Sequence, residues 1–422
     1  MKIKDIFRKG LEIWWLDYLY YLYGEIRNYI PHRMVLKDIQ NHGQVRIAFI
    51  IMHISQWKLQ KLVELLNTDN RFKVQIILSP SLLFEKEQQE KDLEEMRMFF
   101  SKSNTPYVDF DFNNPYNLKD NFNPHILFYT QPYGHIHSPA HDVTSFKDRL
   151  KAYAPYSFWS TTAKFGFDLS FHRHAWRIYY ANKLLFEYAK SVSINHAKNA
   201  AVVGYPSADL FLECNVMDPW KIKDRTLRRI IWAPHFTIKS RKWSSHSSFL
   251  TIADEMLEYA KANQNKVQIA FKPHPRLRTE LYRHPEWGVK KTEDYYSQWS
   301  KMPNTLLETG PYYNLFKSSD ALVHDSDSFM IEYQYTLKPC LFVLCESDFF
   351  ENLNPLGKKA FDLHYKANNM SDIISFIEGV LVGNDFLLSL RKNFFQEYLM
   401  PPNGCTVAEN IYKDLVQSLF RE

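Results

Sequence analysis

The chain has 422 residues, too many for one ordinary hydrophobic core and enough for two domains of about 150 to 200 residues. Its 45% apolar content excludes a disordered chain. The net charge of +5 comes from 52 basic and 47 acidic residues that are intermixed, without the concentrated basic patches of a nucleic-acid binder; a mild positive excess suits an anionic substrate or membrane face. Cys214, Cys340, Cys345 and Cys405 form no C-x-x-C pair, so neither a zinc framework nor a disulfide scaffold is expected, and a reducing cytoplasm is the natural setting.

Residues 1–40 read as an amphipathic, aromatic-rich helical region. Lys2, Lys4, Arg8 and Lys9 precede Trp14, Trp15, Tyr18, Tyr21 and Leu22. Glu12, Asp17 and Glu25 interrupt the apolar run, so it is neither a clean signal peptide nor a transmembrane span. Two readings stay open: a helix lying on a membrane surface, or one docked on its own domain.

The run VRIAFIIM at 45–52 has the character of a strand buried on both faces. A helix follows in SQWKLQKLVELLN, then the strand KVQIILS, the helix EKEQQEKDLEEMRMFFSKS, and short strands in YVDFD and HILFYTQ. A second series begins near residue 228. RRIIWAP is a strand, 248–264 a helix, KVQIAFKPHP a strand running into a loop, and NTLLET a short strand. NLFKSSDALVHDS reads as a helix end, strand and loop, followed by the helix SFMIEYQYTL and the strand KPCLFVL. Strand–helix alternation written twice predicts an α/β protein with two doubly wound, Rossmann-like domains. The expected division is 1–40, an N-terminal helical region; 41–190, an acceptor-side domain; 191–370, a nucleotide-donor domain; and 371–422, helices packing back across the join.

Four segments of the second half carry the chemistry: VVGYPSADLF with Gly204, Tyr205, Pro206 and Asp209; IIWAPHF with Pro234 and His235; FKPHPRLR with Lys272, His274, Arg276 and Arg278; and SSDALVHDSDSFMIEYQYTLKPCLFVL with Asp325, Ser326, Asp327, Ser328, Glu332, Lys338 and Pro339. Ligands of open α/β sheets sit beyond the carboxyl ends of the strands, where KPHPRLR and HDSDS lie. Lys272, His274, Arg276 and Arg278 offer a pyrophosphate charge and directional donors. The helix start at Ser326–Ser328 offers backbone N–H groups and hydroxyls. His274 reads either as an acid or phosphate-oxygen donor or as the centre of a proline-bounded turn.

In this order the four segments resemble the CDP-glycerol glycerophosphotransferase family of teichoic-acid and capsule polymerases, over roughly residues 200–345. The resemblance implies a GT-B-type fold with two domains facing a cleft. It implies transfer of a glycerol-phosphate-like polyol phosphate from a CDP-activated donor to a cell-surface glycan acceptor. Pro234, His235, Lys272, Arg276, Arg278, Asp325, Ser326, Asp327, Ser328 and Glu332 would bind the donor, and His274 would act in catalysis. The chain departs from the family twice. Asp325-Ser326-Asp327-Ser328 stands where the family writes D-Y-S-S, and no W-H-G-T-P segment is present. The nearest counterpart of the latter is FYTQPYGHIHSPAHD, which offers His135 and His137 as catalytic candidates and Gln131, Tyr133 and Gly134 on the acceptor side. Its histidines lack a carboxylate or thiol partner at metal-ligand spacing, so no metal is expected.

No cofactor is required beyond the nucleotide-activated donor. The expected partners are that donor, a glycan or lipid-linked glycan acceptor and an anionic membrane surface, with no nucleic acid. The expected location is cytoplasmic, with a peripheral position on the inner membrane face left open. Two other functions remain on the sequence alone: a GT-B glycosyltransferase using a nucleotide-sugar in capsule or lipopolysaccharide synthesis, and a non-catalytic glycan- or nucleotide-binding subunit.

Overall fold

The structure is a computed structural model. It describes residues 3–238, 247–345 and 349–420, and for 3–14 the helical backbone alone. Two six-stranded parallel sheets carry the architecture. The first holds β1 (Val45–Ile51), β2 (Phe72–Leu78), β3 (Ile126–Tyr129), β4 (Leu150–Tyr153), β5 (Arg177–Tyr180) and β6 (Ala200–Val202) in the order β2-β1-β3-β4-β5-β6. The second holds β7 (Arg228–Ala233), β8 (Val267–Phe271), β9 (Thr305–Leu307), β10 (Ala321–His324), β11 (Cys340–Val343) and β12 (Tyr365–Ala367) in the order β12-β11-β10-β7-β8-β9. Each order reverses once, which makes both sheets doubly wound.

The apolar runs become central strands because only a sheet covered on both faces buries every side chain of the run. All five residues of β8 are buried, as are six of the seven in β1. The high aromatic content goes largely into cores. Between the second sheet and its helices Trp232, Phe249, Phe271, Tyr295 and Trp299 form one cluster, with Trp232 and Phe271 stacked at a centroid distance of 4.9 Å.

YVDFD, expected as a strand, contributes a single bridge between Val108 and Ile77 on the outer side of β2. The chain turns away at Asp109, whose carboxylate accepts from Phe110 N at 2.9 Å and pairs with Arg97.

The chain divides into two units, Met1–Ser157 with Lys164–Asp209 and Pro401–Glu422, and Phe158–Ala163 with Leu210–Met400. The GYPSAD segment therefore lies in the first unit, whereas the sequence reading placed it with the donor domain. Its role there is visible. Asp209 accepts from Val407 N at 2.8 Å and Ala408 N at 3.0 Å, holding the start of the C-terminal helix Val407–Phe420. Gly204 has φ +105, and a Cβ on it would meet Val407 Cγ2 at 2.7 Å, so glycine lets the two segments touch.

Helix α1 (Ile3–His42) docks one face on the first unit through Tyr21, Asn28, Val35 and Ile39. At Gly24 a Cβ would fall 2.0 Å from His174 Nε2, so the close approach depends on that glycine. Helix α2 (Gln60–Asn67) follows β1, and α3 (Lys86–Lys102) follows β2. Lys2 and the side chains of Lys4, Arg8, Lys9 and Trp14 lie outside the described residues. Among the described residues no helix is long and apolar enough to cross a membrane.

Candidate functional site

In the second unit the chain runs from β7 outward through β8 to β9, then returns to pair β10 on the other side of β7. The switch point therefore lies between the carboxyl ends of β7 and β10, the place where such sheets bind ligands. Pro234 and His235 leave β7 there, Lys272–Arg276 leave β8 beside them, and Asp325–Ser328 leave β10. Backbone bonds lock these loops together: Lys272 N donates to Trp232 O at 2.8 Å and His274 N to Pro234 O at 3.0 Å.

Asp325 is the hub. Fully buried, it accepts from His235 N at 2.5 Å, from Ser248 N at 2.7 Å, from Ser248 Oγ at 2.8 Å and from Ser247 Oγ at 3.2 Å. Burial raises its pKa, and these donors oppose the rise. Asp325 thus fixes the rim from beneath. Ser247 and Ser248, which complete this tie, carry no signal in the sequence.

Above the hub, His235, Phe236, His274 and Arg276 form a cluster. The His235 and His274 rings are 4.9 Å apart, those of Phe236 and His274 are 4.5 Å apart, and the Arg276 guanidinium lies 4.2 Å from the Phe236 ring centroid. His274 Nδ1 accepts from Arg276 N at 3.1 Å. That bond places the proton of the neutral ring on Nε2, the nitrogen able to donate. Arg276 also pairs with Glu280 at 3.3 Å and remains partly exposed.

Ser326 lies on the same rim, its N–H held by His324 Nδ1 at 3.1 Å. Asp327 opens the short helix Asp327–Glu332, and its buried Oδ1 has no hydrogen-bond partner among the described residues. Burial, with the Asp325 charge behind it, raises the Asp327 carboxyl to about 7. Half-buried Ser328 follows it.

Three residues expected at the donor turn elsewhere. Arg278 is held by Glu293 through Nε at 2.7 Å and through a second, short bond, and its guanidinium lies over Tyr296. Lys272 is buried and donates to Gly310 O at 2.8 Å. Glu332 is buried and accepts from Tyr312 OH at 2.6 Å. Arg278 is paired with a carboxylate, Lys272 is bonded to a backbone carbonyl and Glu332 is bonded beneath the surface, so these residues support the rim.

The first unit repeats the geometry. Its switch point lies between β1 and β3, so Met52–Ser55 and Thr130–Asp142 face each other across it. Gln131 is buried, its Oε1 accepting from Tyr133 N at 2.6 Å, and burial raises the pKa of the Tyr133 hydroxyl. Gly134 is packed close, since a Cβ on it would lie 3.1 Å from Thr144 Cγ2. His135 is exposed, with φ +63. His137 is buried. Its Nδ1 donates to Ser79 O at 2.9 Å, and its Nε2 meets Gln131 Nε2 at 2.8 Å. Burial foremost lowers its pKa to about 4, so the ring is a neutral bridge inside the loop. Of the two histidines expected to act here, His137 is therefore sealed from solvent. No group of three metal-binding side chains occurs among the described residues.

With this geometry in place, three comparisons bear on identity. The S. aureus MnaA structure with UDP is 10% identical with a TM-score of 0.56, over 90% of this chain and 98% of that one. The Neisseria meningitidis UDP-GlcNAc 2-epimerase bound to UDP-GlcNAc is 11% identical with a TM-score of 0.54, over 88% and 99%. A variant of the wall teichoic acid polymerase TagF is 10% identical with a TM-score of 0.57, over 96% and 99%. No curated protein sequence matches. At these identities the likeness is one of fold, and it defines an α/β protein of the GT-B type. The model of the CDP-Glycerol:Poly(glycerophosphate) glycerophosphotransferase family matches residues 177–354, which contain all four motifs. The resemblance read from those motifs therefore holds for that segment.

Proposed function

We propose that the protein moves a polyol phosphate, glycerol phosphate or a close relative, from a CDP-activated donor to a hydroxyl of a cell-surface glycan. The observation that carries this reading is the rim of the second unit, where His274, Arg276 and Ser326–Ser328 meet at one switch point above a buried carboxylate hub. Arg276 and the serine hydroxyls hold the diphosphate, and His274 donates to the phosphate oxygen that gains charge as the nucleotide leaves. The acceptor enters at the switch point of the first unit, where Gln131, Tyr133, Gly134 and His135 lie. Incubating the protein with CDP-glycerol and a polyol-phosphate-primed glycan should release CMP in step with acceptor extension. Release of a nucleoside diphosphate from a nucleotide-sugar instead would replace this reading with sugar transfer, the competing one. That alternative gains weight from Asp327, which departs from the family pattern where the donor's phosphates would lie.

Asp327 gives the site a pH dependence. Below about 7 its carboxyl is protonated and can donate to a phosphate oxygen; above that it is an anion repelling one. Donor affinity should fall by roughly threefold to tenfold from about pH 6 to about pH 8. Calorimetric titration with CDP-glycerol at both pH values checks this, and Asp327→Asn should flatten the difference.

The same reading places the protein on the inner membrane face through α1. Its outward stripe, Trp15, Leu19, Tyr23, Ile26, Ile30 and Met34, is exposed. The acids of the described part of α1 turn to the unit beneath: Asp17 pairs with Lys164 and Arg173, Glu25 with Lys198, and Asp38 with His125. Arg27, Arg33 and Lys37 are exposed on the outer side. Apolar and aromatic side chains flanked by these cations suit an anionic bilayer. The protein should co-sediment with phosphatidylglycerol vesicles more than with phosphatidylcholine vesicles. The triple change Leu19→Ser, Ile26→Ser and Ile30→Ser should cut that binding by about tenfold or more.

A further inference from the structure

The four strands around the switch point of the first unit, β2, β1, β3 and β4, end in loops whose only ionisable groups of neutral pH are histidines. Residues 52–57, 79–84, 130–141 and 154–157 contain no Lys, Arg, Asp or Glu. The matching rim of the second unit carries Lys272, Arg276, Asp325 and Asp327. The first cations past the loops of β1 and β2 are engaged elsewhere: Lys58 is buried, and Lys86 lies over the Phe112 ring at 5.2 Å. Three of the four loop histidines are engaged as well. His53 Nε2 faces Asp92 and Glu95 of α3 at 3.5 and 3.7 Å, His137 bridges Ser79 O and Gln131, and buried His141 lies 2.9 Å from Tyr116 O. A phosphate held on this rim would give up water without gaining a cation, which is costly.

What the rim offers instead is aromatic and apolar surface. Tyr133 and Tyr156 stand just past β3 and β4. Tyr156 is pinned at both backbone groups, its N–H donating to Thr130 O at 3.1 Å and its carbonyl accepting from Tyr205 OH at 3.0 Å. Burial foremost raises the pKa of both tyrosine hydroxyls, and the nearby Tyr156 hydroxyl adds to the rise at Tyr133, so the two side chains are neighbours. Both residues nevertheless keep part of their surface at the rim. Beside them Leu82, Leu83 and Phe84 are exposed, and Leu82 N donates to Ile136 O at 2.8 Å, joining the loops of β2 and β3. Behind the rim, Ser79 and Thr130 each hold a buried hydroxyl oxygen with no partner among the described residues. Neutral hydrogen-bonding groups and rings recognise a sugar, because a pyranose presents a flat apolar C–H face between its hydroxyls. An open-chain polyol phosphate has no such face and brings an anion with it.

We propose that the first unit selects an acceptor ending in a neutral sugar ring, stacked on Tyr133 and Tyr156, over one ending in a polyol phosphate. This rests on the transfer reaction proposed above and deepens it by naming the acceptor. It also sets an order of reactions. A glycosyl transfer must supply the sugar end before this protein acts, and the phosphate-bearing product is used less well than the sugar end that preceded it.

The test measures CMP release from CDP-glycerol with two octyl-linked glycans, alongside the thermal shift that CDP-glycerol causes. One glycan ends in a neutral hexose, and the other carries glycerol phosphate on that hexose. The neutral end should show a KM lower by about tenfold or more. Tyr133→Leu should raise that KM by about tenfold and leave the donor-induced shift unchanged, whereas Tyr133→Phe, which keeps the ring, should stay within about threefold of wild type. His135→Arg adds a cation at an exposed point of the same rim and removes no packed side chain. It should narrow the gap between the two KM values by about fivefold. Equal KM values in the wild type, or a lower one for the phosphate-bearing glycan, overturn the preference for a neutral end. A wild-type KM in Tyr133→Leu overturns the stacking role. If a nucleotide-sugar replaces CDP-glycerol as donor, the same pair of glycans decides the acceptor. If the wild type releases no nucleotide with either glycan, the transfer reading fails and this proposal falls with it, a result distinct from a wild type that uses both glycans equally.

Discussion

His274→Ala is expected to lower donor turnover by about 100-fold or more. The ring sits where β8 ends, its Nδ1 accepting Arg276 N–H and its Nε2 carrying the proton. Under the proposed transfer two roles are folded into one side chain: Nδ1 shapes the proline-bounded turn, and Nε2–H donates to charge that develops as the nucleotide departs. They separate experimentally. In His274→Asn the amide oxygen takes the place of Nδ1 and can still accept from Arg276 N–H, but no donor reaches the position of Nε2. If shaping the turn were the whole role, asparagine would restore turnover. If the donated hydrogen bond matters, asparagine stays as poor as alanine. Single-turnover CMP release from CDP-glycerol by the two variants gives the answer. Their stabilities should differ by only about 1 kcal/mol, the worth of one ordinary hydrogen bond.

Much of this site was legible in the sequence, for a physical reason. A strand buried on both faces announces itself as an apolar run, and the residues just past such a run fall on the ligand-binding rim whatever the rest of the chain does. IIWAPHF, QIAFKPHP and ALVHDSDS were read in that way, and their loops do meet at one switch point. Short strands lack that signal. LKAY in β4, RIYY in β5 and YKA in β12 are too brief to show a period, and their identity comes from the neighbours they pair with.

Side-chain direction was the second thing the sequence withheld. FKPHPRLR presents three cations and a histidine in a row, and from composition each suits a phosphate. The turn decides otherwise. Lys272 points to Gly310 O, and Arg278 lies along the helix Gly288–Lys301 on Glu293. His53 and Asp92 illustrate the opposite case. They are far apart in the chain, and only the packing of α3 beside the end of β1 brings them together. No local pattern contains that pair.

The GYPSAD segment adds a caution about motifs. Its aspartate looks like a ligand group, yet both carboxylate oxygens cap the C-terminal helix, and its glycine exists to let that helix approach. A family motif can thus record the assembly of a fold as readily as a binding site. The motif around Asp325 secures the loops in the same way, and its carboxylate also sets the height of the rim that carries His274.

Asp325→Ala should consequently be the most damaging single change in the second unit. Removing the carboxylate strands Ser248 N and the hydroxyls of Ser247 and Ser248, all in buried positions, and frees His235 N from the rim. A buried donor left without an acceptor costs about 1–3 kcal/mol, so the summed loss should reach roughly 3–5 kcal/mol. Asp325→Asn should fall between the two. Its Oδ1 can still accept from His235 N, but its amide nitrogen then faces Ser248 N and two hydroxyls that formerly donated to Oδ2. The backbone donor among them is left unpaired, while the hydroxyls can turn and accept instead. Urea unfolding should therefore rank wild type above Asn and Asn above Ala. Donor binding should collapse in both variants even at denaturant-free stability sufficient to keep them folded, because His235 and the loop of His274, tied to it through Pro234, lose their anchor. An alanine variant that unfolds like wild type and binds CDP-glycerol normally would show that the loops hold their positions without the hub.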